Sequence, residues 1–148
     1  MRIPVLVLLV LFVFAFTARG EDAVRPIGLV KTVSGDASII RDGHRLTAQP
    51  GLSLAQGDVL STGAKGSMGV ILRDDTILSM GSSSEIHIEQ FIFDPAREKL
   101  GMVMRVARGV IGYLSGRISR LSPGSVRIET PVATLGVRGT HLYARIEP

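Results

Sequence analysis

Two alternating segments near the end of the chain, residues 126–129 and 141–146, constrain its fold more than any other feature. In both, apolar and polar side chains alternate residue by residue, as Val126 and Ile128 do around Arg127. This period of two is typical of a half-buried β-strand, because successive side chains leave opposite faces of the backbone.

The linker between the two segments contains Pro131, Gly136 and Gly139. Proline has no backbone donor for a strand ladder, and glycine tolerates bulges and close backbone approach. We therefore interpret residues 126–146 as the two or three closing strands of a β-domain, with a bulge or a close approach at Gly139.

Upstream residues carry the same kind of signal. Asp42-Gly43 is the strongest hairpin signal in the chain, because a type I′ turn needs positive φ at both central positions. The cleanest alternation begins at Leu100, where every second residue up to Val106 is apolar.

No window of a dozen residues fits a helical pattern better than alternation, and residues 116–125 are interpreted as a loop. Turn signals recur at about the 8–12 residue spacing of a β-sandwich or barrel. The sequence therefore predicts an all-β fold, a single antiparallel β-sandwich or jelly-roll-like domain over residues 27–146.

Residues 1–20 have the features of a signal peptide. Residues 5–16 form an unbroken apolar run of 12 residues, which as a helix would extend about 18 Å against a hydrocarbon core of about 30 Å. Small residues favour cleavage after Gly20. Residues 21–26 then form a short linker, and we expect a periplasmic or secreted protein of the bacterial cell envelope. The alternative is an uncleaved anchor.

Cysteine is absent from the chain, which argues against disulfides, thiolate metal sites and a cysteine nucleophile. The net charge is +4, and removing Arg2 and Arg19 with the leader leaves 15 basic and 13 acidic residues. So small a positive balance argues against nucleic acid as a partner.

A set of motifs resembles the FecR domain family. The most specific is residues 129–140, which read ETPVATLGVRGT. The earlier pieces are residues 57–62, 66–72, 75–80, 84–86 and 108–111. The resemblance covers residues 27–146 and implies an all-β domain outside the cytoplasmic membrane. The family is named for a regulator of iron-citrate uptake, which passes a signal from an outer-membrane receptor to a cytoplasmic sigma factor.

The chain departs from that regulator at both ends. Only a few residues precede the apolar run, and the chain stops at Pro148 soon after the closing strand. We therefore expect an exported, free-standing, non-catalytic FecR domain that serves as a ligand- or protein-interaction or sensing module. Its expected partners are other exported or envelope proteins or glycans, with no stable membrane span after processing.

Three alternatives stay open. A cell-envelope carbohydrate or lipopolysaccharide binder would show strong salt dependence. A component of iron-uptake-type signal transduction would act together with a sigma factor and a receptor. A hydrolase would need a deep pocket with convergent carboxylates. No motif favours catalysis, so we expect no enzyme activity, no catalytic residues and no cofactor.

Metal binding is not expected. The three histidines are far apart in sequence and lack ligand spacing; they are His44, His87 and His141. An alternative calcium site would use Asp58, Asp74, Asp75 and Glu85. However, aspartate is common in turns for local hydrogen bonding, and the chain has no Asp-x-Asp-x-Asp loop.

Arginines and tyrosines supply the candidate interaction residues. A basic cluster consists of Arg105, Arg108, Arg117, Arg120 and Arg127. If their strands are neighbours, it could meet anionic lipid head groups, lipopolysaccharide phosphates or an acidic glycan; the alternative is scattered surface arginine. We expect Arg138 to have first a structural role, in which its guanidinium donates to carbonyls at a corner, and second a functional one.

Tyr113 and Tyr143 are the aromatic candidates, because aromatic and arginine side chains dominate binding hot spots.

Overall fold

A computed structural model describes residues 25–139 and 141–147. In these ranges the chain forms twelve β-strands, one short α-helix and a 3-10 turn at Pro95–Arg97. The strands are β1 (Gly28–Ser34), β2 (Ala37–Arg41), β3 (His44–Thr47), β4 (Ser53–Leu54), β5 (Val59–Thr62), β6 (Ser67–Leu72), β7 (Ile77–Met80), β8 (Glu85–Asp94), β9 (Lys99–Leu114), β10 (Val126–Glu129), β11 (Thr134–Gly136) and β12 (His141–Ile146). The helix is α1 (Arg117–Leu121). The all-β fold class expected from the alternation is confirmed.

Strand β9 connects two half-sheets. Residues 99–108 pair with antiparallel β8, and residues 102–105 also pair with parallel β10. Residues 109–114 pair with antiparallel β12, and residues 111–114 also pair with antiparallel β7. The first half-sheet has the order β3-β2-β5-β8-β9-β10-β11, and the second has β12-β9-β7-β6-β1-β4. The twelve strands therefore form one curled sheet, whose halves are continuous through β9.

Gly109 marks the position where β9 passes from one half-sheet to the other. Its φ is +103°, a conformation that side chains with a Cβ rarely adopt. A Cβ at position 109 would also collide with Ser84. The sequence pattern predicts two strands here, residues 100–107 and 109–115, whereas the structure has one strand of 16 residues.

A single apolar cluster drawn from both half-sheets fills the interior. From β9, Met102, Met104 and Val106 point into it from the first half-sheet, and Ile111 points into it from the second. This confirms the alternation read from the sequence. Burial of such side chains is the main favourable term in folding, at about 25 cal/mol per Å² of apolar surface.

The hairpin predicted at Asp42-Gly43 is confirmed. The two residues have φ of +51° and +77°, and Arg41 pairs with His44 across the turn. Two positive φ values are the requirement of a type I′ turn, whose twist matches that of the flanking strands.

Helix α1 lies inside the segment predicted to be a loop, so that prediction is wrong. The backbone N–H of Ile118 donates to a carboxylate oxygen of Asp74 at 3.2 Å, and Arg117 N–H donates to the Asp74 carbonyl at 2.7 Å. Ile118 is fully buried. Five residues are too few for a stable isolated helix, so these tertiary contacts hold it.

The predicted signal peptide and the linker up to residue 24 lie outside the described residues. Of the helical residues that the structure does describe, none belongs to a segment with the length and apolarity needed to traverse a bilayer.

Candidate functional site

The basic cluster predicted from sequence is partly neutralised by neighbouring acids. Arg105 forms an ion pair with Glu89 on β8. Nη2 of Arg108 lies 3.5 Å from the Oε2 carboxylate oxygen of Glu85. Glu85 also meets His87, with 2.7 Å between its carboxylate oxygen and Nε2 of the imidazole. These residues form a row of alternating charge on the outer face of the first half-sheet. Paired charges of this kind leave little net field for an anionic ligand.

The other three arginines of the cluster lie in two places. Arg117 and Arg120 belong to α1, where the Arg117 guanidinium carbon is 5.0 Å from the centre of the Phe93 ring. Arg120 Nε donates to the Gly116 carbonyl at 3.3 Å. Arg127 lies on β10, two register positions from Arg105 on β9. The structure therefore brings Arg105 and Arg127 to neighbouring strands, but it separates them from the arginines of α1.

Tyr113 is a core residue with 2% of its surface exposed. Its hydroxyl has no hydrogen-bond partner among the described residues. Burial raises the pKa of the Tyr113 phenol, because the phenolate would lose its hydration. The nearby hydroxyls of Ser115, Thr76 and Ser119 oppose this shift, and the charge of Asp74 adds to it. The Tyr113 side chain therefore belongs to the core and presents no exposed ring on the outer surface.

Arg138 is exposed and makes no side-chain hydrogen bond to the described residues, so the corner of bonded carbonyls expected around it is not formed there. Its neighbour Val137 is buried and donates its backbone N–H to the Val126 carbonyl at 3.2 Å. A Cβ at Gly139 would meet no atom of the described residues within 4 Å, so no close approach occupies that side of the glycine. The Ser115 hydroxyl donates to the Gly139 carbonyl. The corner is therefore anchored through Val137 and Gly139, and Arg138 is left at the surface.

Tyr143 has 80% of its surface exposed on the outer face of β12. It pairs with Gly112 of β9, and its ring lies across that glycine. A Cβ at position 112 would stand 3.0 Å from the Tyr143 Cε1 atom and 3.6 Å from Ser79. The absence of a side chain at Gly112 therefore allows the ring to rest there.

A shallow depression of about 150 Å³ lies beside the ring. It is lined by Ile77, Ser79, Gly112, Tyr113, Leu114, His141 and Tyr143. Ile77, which pairs with Leu114, is 37% exposed, and Val110, on the other side of Gly112 along β9, is 38% exposed. We call the outer surface formed by Ile77, Val110, Gly112, Leu114 and Tyr143 the Tyr143 face. It combines an exposed aromatic ring with apolar side chains, the composition found at the centres of protein interfaces.

The Tyr143 face is part of a longer apolar row. Cross-strand pairing places Leu114 opposite Ile77, Ile77 opposite Ile71, and Ile71 opposite Leu29. Leu29, at the far end of the row on β1, is 41% exposed. One apolar row therefore crosses the outer side of the second half-sheet from β9 to β1.

Strand β12 forms the edge of the second half-sheet, since in the described part of the chain it pairs only with β9. Leu142, Ala144 and Ile146 are half-buried against the core, whereas the residues between them are exposed. The free side of an edge strand presents backbone N–H and C=O groups that can pair with another chain.

A larger cleft of about 560 Å³ lies at the end of β8. It is lined by Arg25, Arg73, Phe91, Ile92, Phe93, Asp94 and Pro95. The Arg73 guanidinium carbon is 5.6 Å from the centre of the Phe91 ring, and its Nη1 donates to the Pro26 carbonyl at 3.1 Å. We call this region the Arg73 cleft. Sequence reasoning missed it, although the alternation of Phe91 and Phe93 at the end of a strand was a usable signal.

The acidic residues of the alternative calcium site are engaged separately. The Asp58 carboxylate accepts hydrogen bonds from Arg41 at 2.7 and 2.8 Å and from the Ala55 N–H at 2.8 Å. Asp74 accepts from Thr76 as well as from α1. In the ranges that the structure describes, no three histidine, aspartate or glutamate side chains are grouped closely enough to hold a metal ion.

The comparisons with known proteins give one assignment. Neither the curated proteins nor the solved structures yielded a match. The profile described as FecR protein matches residues 58–147, which is more than half of the chain. Strands β1 to β4 precede this segment, yet β1 pairs with β6 and β2 pairs with β5, so they belong to the same sheet. On this evidence, the chain is a member of the FecR protein family.

Proposed function

We propose that this protein is an exported, non-catalytic interaction module of the cell envelope, which binds an extended segment of another polypeptide along β12. The FecR domain is associated with signal transduction of the iron-uptake type, which depends on protein contacts in the envelope. The observation that carries the proposal is the exposure of Tyr143 on an edge strand, beside an apolar depression.

The geometry suits the addition of a strand. An incoming segment would pair its backbone with the free side of β12, and pockets for alternate side chains would give specificity. The depression beside Tyr143 lies on the outer side of the sheet, over β9 and β7, so a long side chain of the added segment would have to pass Tyr143 to reach it. Half-buried Leu142 and Ile146 offer apolar contacts on the inner side.

The proposal that the protein is non-catalytic is supported by the hydrogen bonds that the two buried carboxylates already make. Asp58 is paired with Arg41, and Asp74 is bonded to Thr76 and to α1. Both act as acceptors that stabilise turns. Asp58 lines a third cavity, of about 320 Å³, but its carboxylate is already bonded there to Arg41 and to the Ala55 N–H.

A photo-crosslinking amino acid at position 143 tests the proposed function in living cells. We expect a covalent adduct with a defined polypeptide from Tyr143→benzoylphenylalanine, and none from the same group at His44. His44 is a matched control because it is exposed next to a hairpin turn on the opposite edge. Equal crosslinking from the two positions would refute β12 as the interaction edge.

A second candidate function is suggested by the Arg73 cleft, which suits an anionic group of an envelope glycan or lipopolysaccharide. Arg73 and Arg25 line it together with two phenylalanine rings, and Asp94 is its acidic member. Binding there should weaken strongly between low and physiological salt, because surface charge attraction is screened over about 8–10 Å. Titration of the protein with lipopolysaccharide, comparing Arg73→Gln with Arg45→Gln, separates this function from binding at β12.

A further inference from the structure

We propose that the strand added to β12 is the β12 of a second copy of this chain, in an antiparallel pairing centred on Ala144. The inference rests on the proposed function, because it names the polypeptide that occupies the same edge. It specifies which residues of the two β12 strands lie opposite each other. Because the native chain has no cysteine, single introduced cysteines can measure this register by disulfide formation.

Length distinguishes β12 from the other edges. The sheet ends at β3, β4, β11 and β12 in the described part of the chain. These strands have four, two, three and six residues. Residues 141–146 contain no proline and no lysine, and their pairing with β9 runs without a bulge. Proteins commonly block edge strands with short length, proline, charged side chains or bulges, and of these β12 has one exposed charge, that of Arg145.

The alternation of β12 restricts the possible registers. Directly opposed residues in an antiparallel pair lie on the same face of the sheet. The exposed odd-numbered residues must therefore oppose odd-numbered residues, and the half-buried even-numbered ones must oppose even-numbered ones. Two symmetric pairings that use most of the strand satisfy this condition, one centred on Ala144 and the other on Tyr143.

In the register centred on Ala144, each pair is complementary. Tyr143 opposes Arg145, so that two exposed side chains meet on the outer face of the sheet. Leu142 opposes Ile146, which joins two half-buried apolar side chains. His141 opposes Glu147, and both are exposed. Cross-strand pairs of these types each contribute about 0.2–1 kcal/mol.

The register centred on Tyr143 is less favourable. It places the two Tyr143 rings opposite each other, but it also places His141 opposite Arg145 and Glu147 opposite Gly139, so that no acidic side chain meets a basic one. It also places Leu142 opposite Ala144, which buries less apolar surface than Leu142 against Ile146. The pairing centred on Ala144 is therefore the one that the side chains of β12 specify.

Single cysteines measure the register directly. In a pairing centred on Ala144, the two copies of residue 144 are directly opposed, with Cβ atoms about 4.5–5.5 Å apart, close to disulfide distance. The two copies of residue 143 are then diagonal neighbours, at about 7–8 Å, which is too far. We expect oxidation of Ala144→Cys, in the chain of residues 21–148, to give a disulfide dimer at least about tenfold faster than oxidation of Tyr143→Cys.

Faster dimerisation of Tyr143→Cys would overturn the register. His44→Cys is the exposed control. If Ala144→Cys forms disulfide dimers no faster than this control, the proposed pairing of two β12 strands is refuted. If Ala144→Cys does not fold, as judged by circular dichroism, an equimolar mixture of Tyr143→Cys and Arg145→Cys replaces it, since these exposed positions are opposed in the proposed register. Absence of the mixed disulfide would then count against the proposal.

Sedimentation velocity of the cysteine-free protein completes the test. We expect a reversible dimer with a dissociation constant of roughly 10–100 µM, as for a small interface, and a weaker one for Arg145→Glu. A wild-type protein that stays monomeric, yet crosslinks to another envelope protein through position 143, would refute self-pairing and leave the proposed function standing. A chain that neither dimerises nor crosslinks through position 143 would refute both.

Discussion

The ring of Tyr143 rests on Gly112, where a Cβ would stand 3.0 Å from its Cε1 atom. This contact turns an exposed aromatic side chain back across β9 and leaves the free edge of β12 accessible. The interaction face thus depends on a glycine that contributes no side chain of its own.

We expect Gly112→Ala to displace the Tyr143 ring while lowering the free energy of unfolding by less than about 1 kcal/mol, because the crowded atom belongs to a movable side chain. The chain has two tyrosines and no tryptophan, so tyrosine fluorescence and near-ultraviolet circular dichroism report on the ring. Gly136→Ala is the control, since a Cβ there meets nothing within 4 Å. Spectra that change equally in both variants would refute the contact.

Gly109 should be far less tolerant. Alanine there adopts an unfavourable φ and also collides with Ser84, so we expect a loss of roughly 3 kcal/mol in unfolding free energy. Gly43→Ala separates the two effects, because Gly43 also has positive φ but open space around it; its expected loss is about 1 kcal/mol. Urea denaturation measures both. Similar losses in the two variants would show that the contact with Ser84 adds no strain.

Local patterning predicts much of this fold. Alternation identifies β10 and the first half of β9, and the Asp-Gly pair identifies the β2–β3 hairpin, because these features depend on residues close in sequence. The phase of alternation also distinguishes the buried tyrosine from the exposed one. Tyr113 is in phase with buried Ile111, whereas Tyr143 lies between half-buried Leu142 and Ala144.

The features that sequence reasoning missed depend on distant contacts. Helix α1 needs the Asp74 carboxylate, which lies 44 positions before Ile118 in the chain. The ion pair of Arg105 with Glu89 needs the pairing of β8 with β9, which a list of arginines does not reveal. The Arg73 cleft likewise combines the start of the described chain with a turn and the end of β8.

Asp74 provides a test of the long-range contact. In Asp74→Asn, the amide NH₂ would face the N–H and O–H donors of Thr76 and Ile118, which now bond to carboxylate oxygens at 2.8–3.2 Å. We expect a loss of about 2 kcal/mol in unfolding free energy and faster hydrogen exchange at the Ile118 amide. Asp75→Asn, at the exposed next position of the same turn, should stay within about 0.5 kcal/mol of wild type. Unchanged exchange at Ile118 in Asp74→Asn would show that the carboxylate does not hold α1.

Tyr113 predicts a specific dependence of stability on alkaline pH. Burial raises the pKa of its phenol, so the folded state disfavours the phenolate. The contribution of this residue to stability is therefore complete below the ordinary tyrosine pKa of about 10 and is lost as the pH rises through the folded-state value. Tyr113→Phe should remove this part of the alkaline loss and cost little at pH 7, because the hydroxyl has no partner among the described residues. Urea midpoints measured from neutral to alkaline pH test this, with exposed Tyr143→Phe as the control; an unchanged alkaline loss in Tyr113→Phe would assign the effect to other groups.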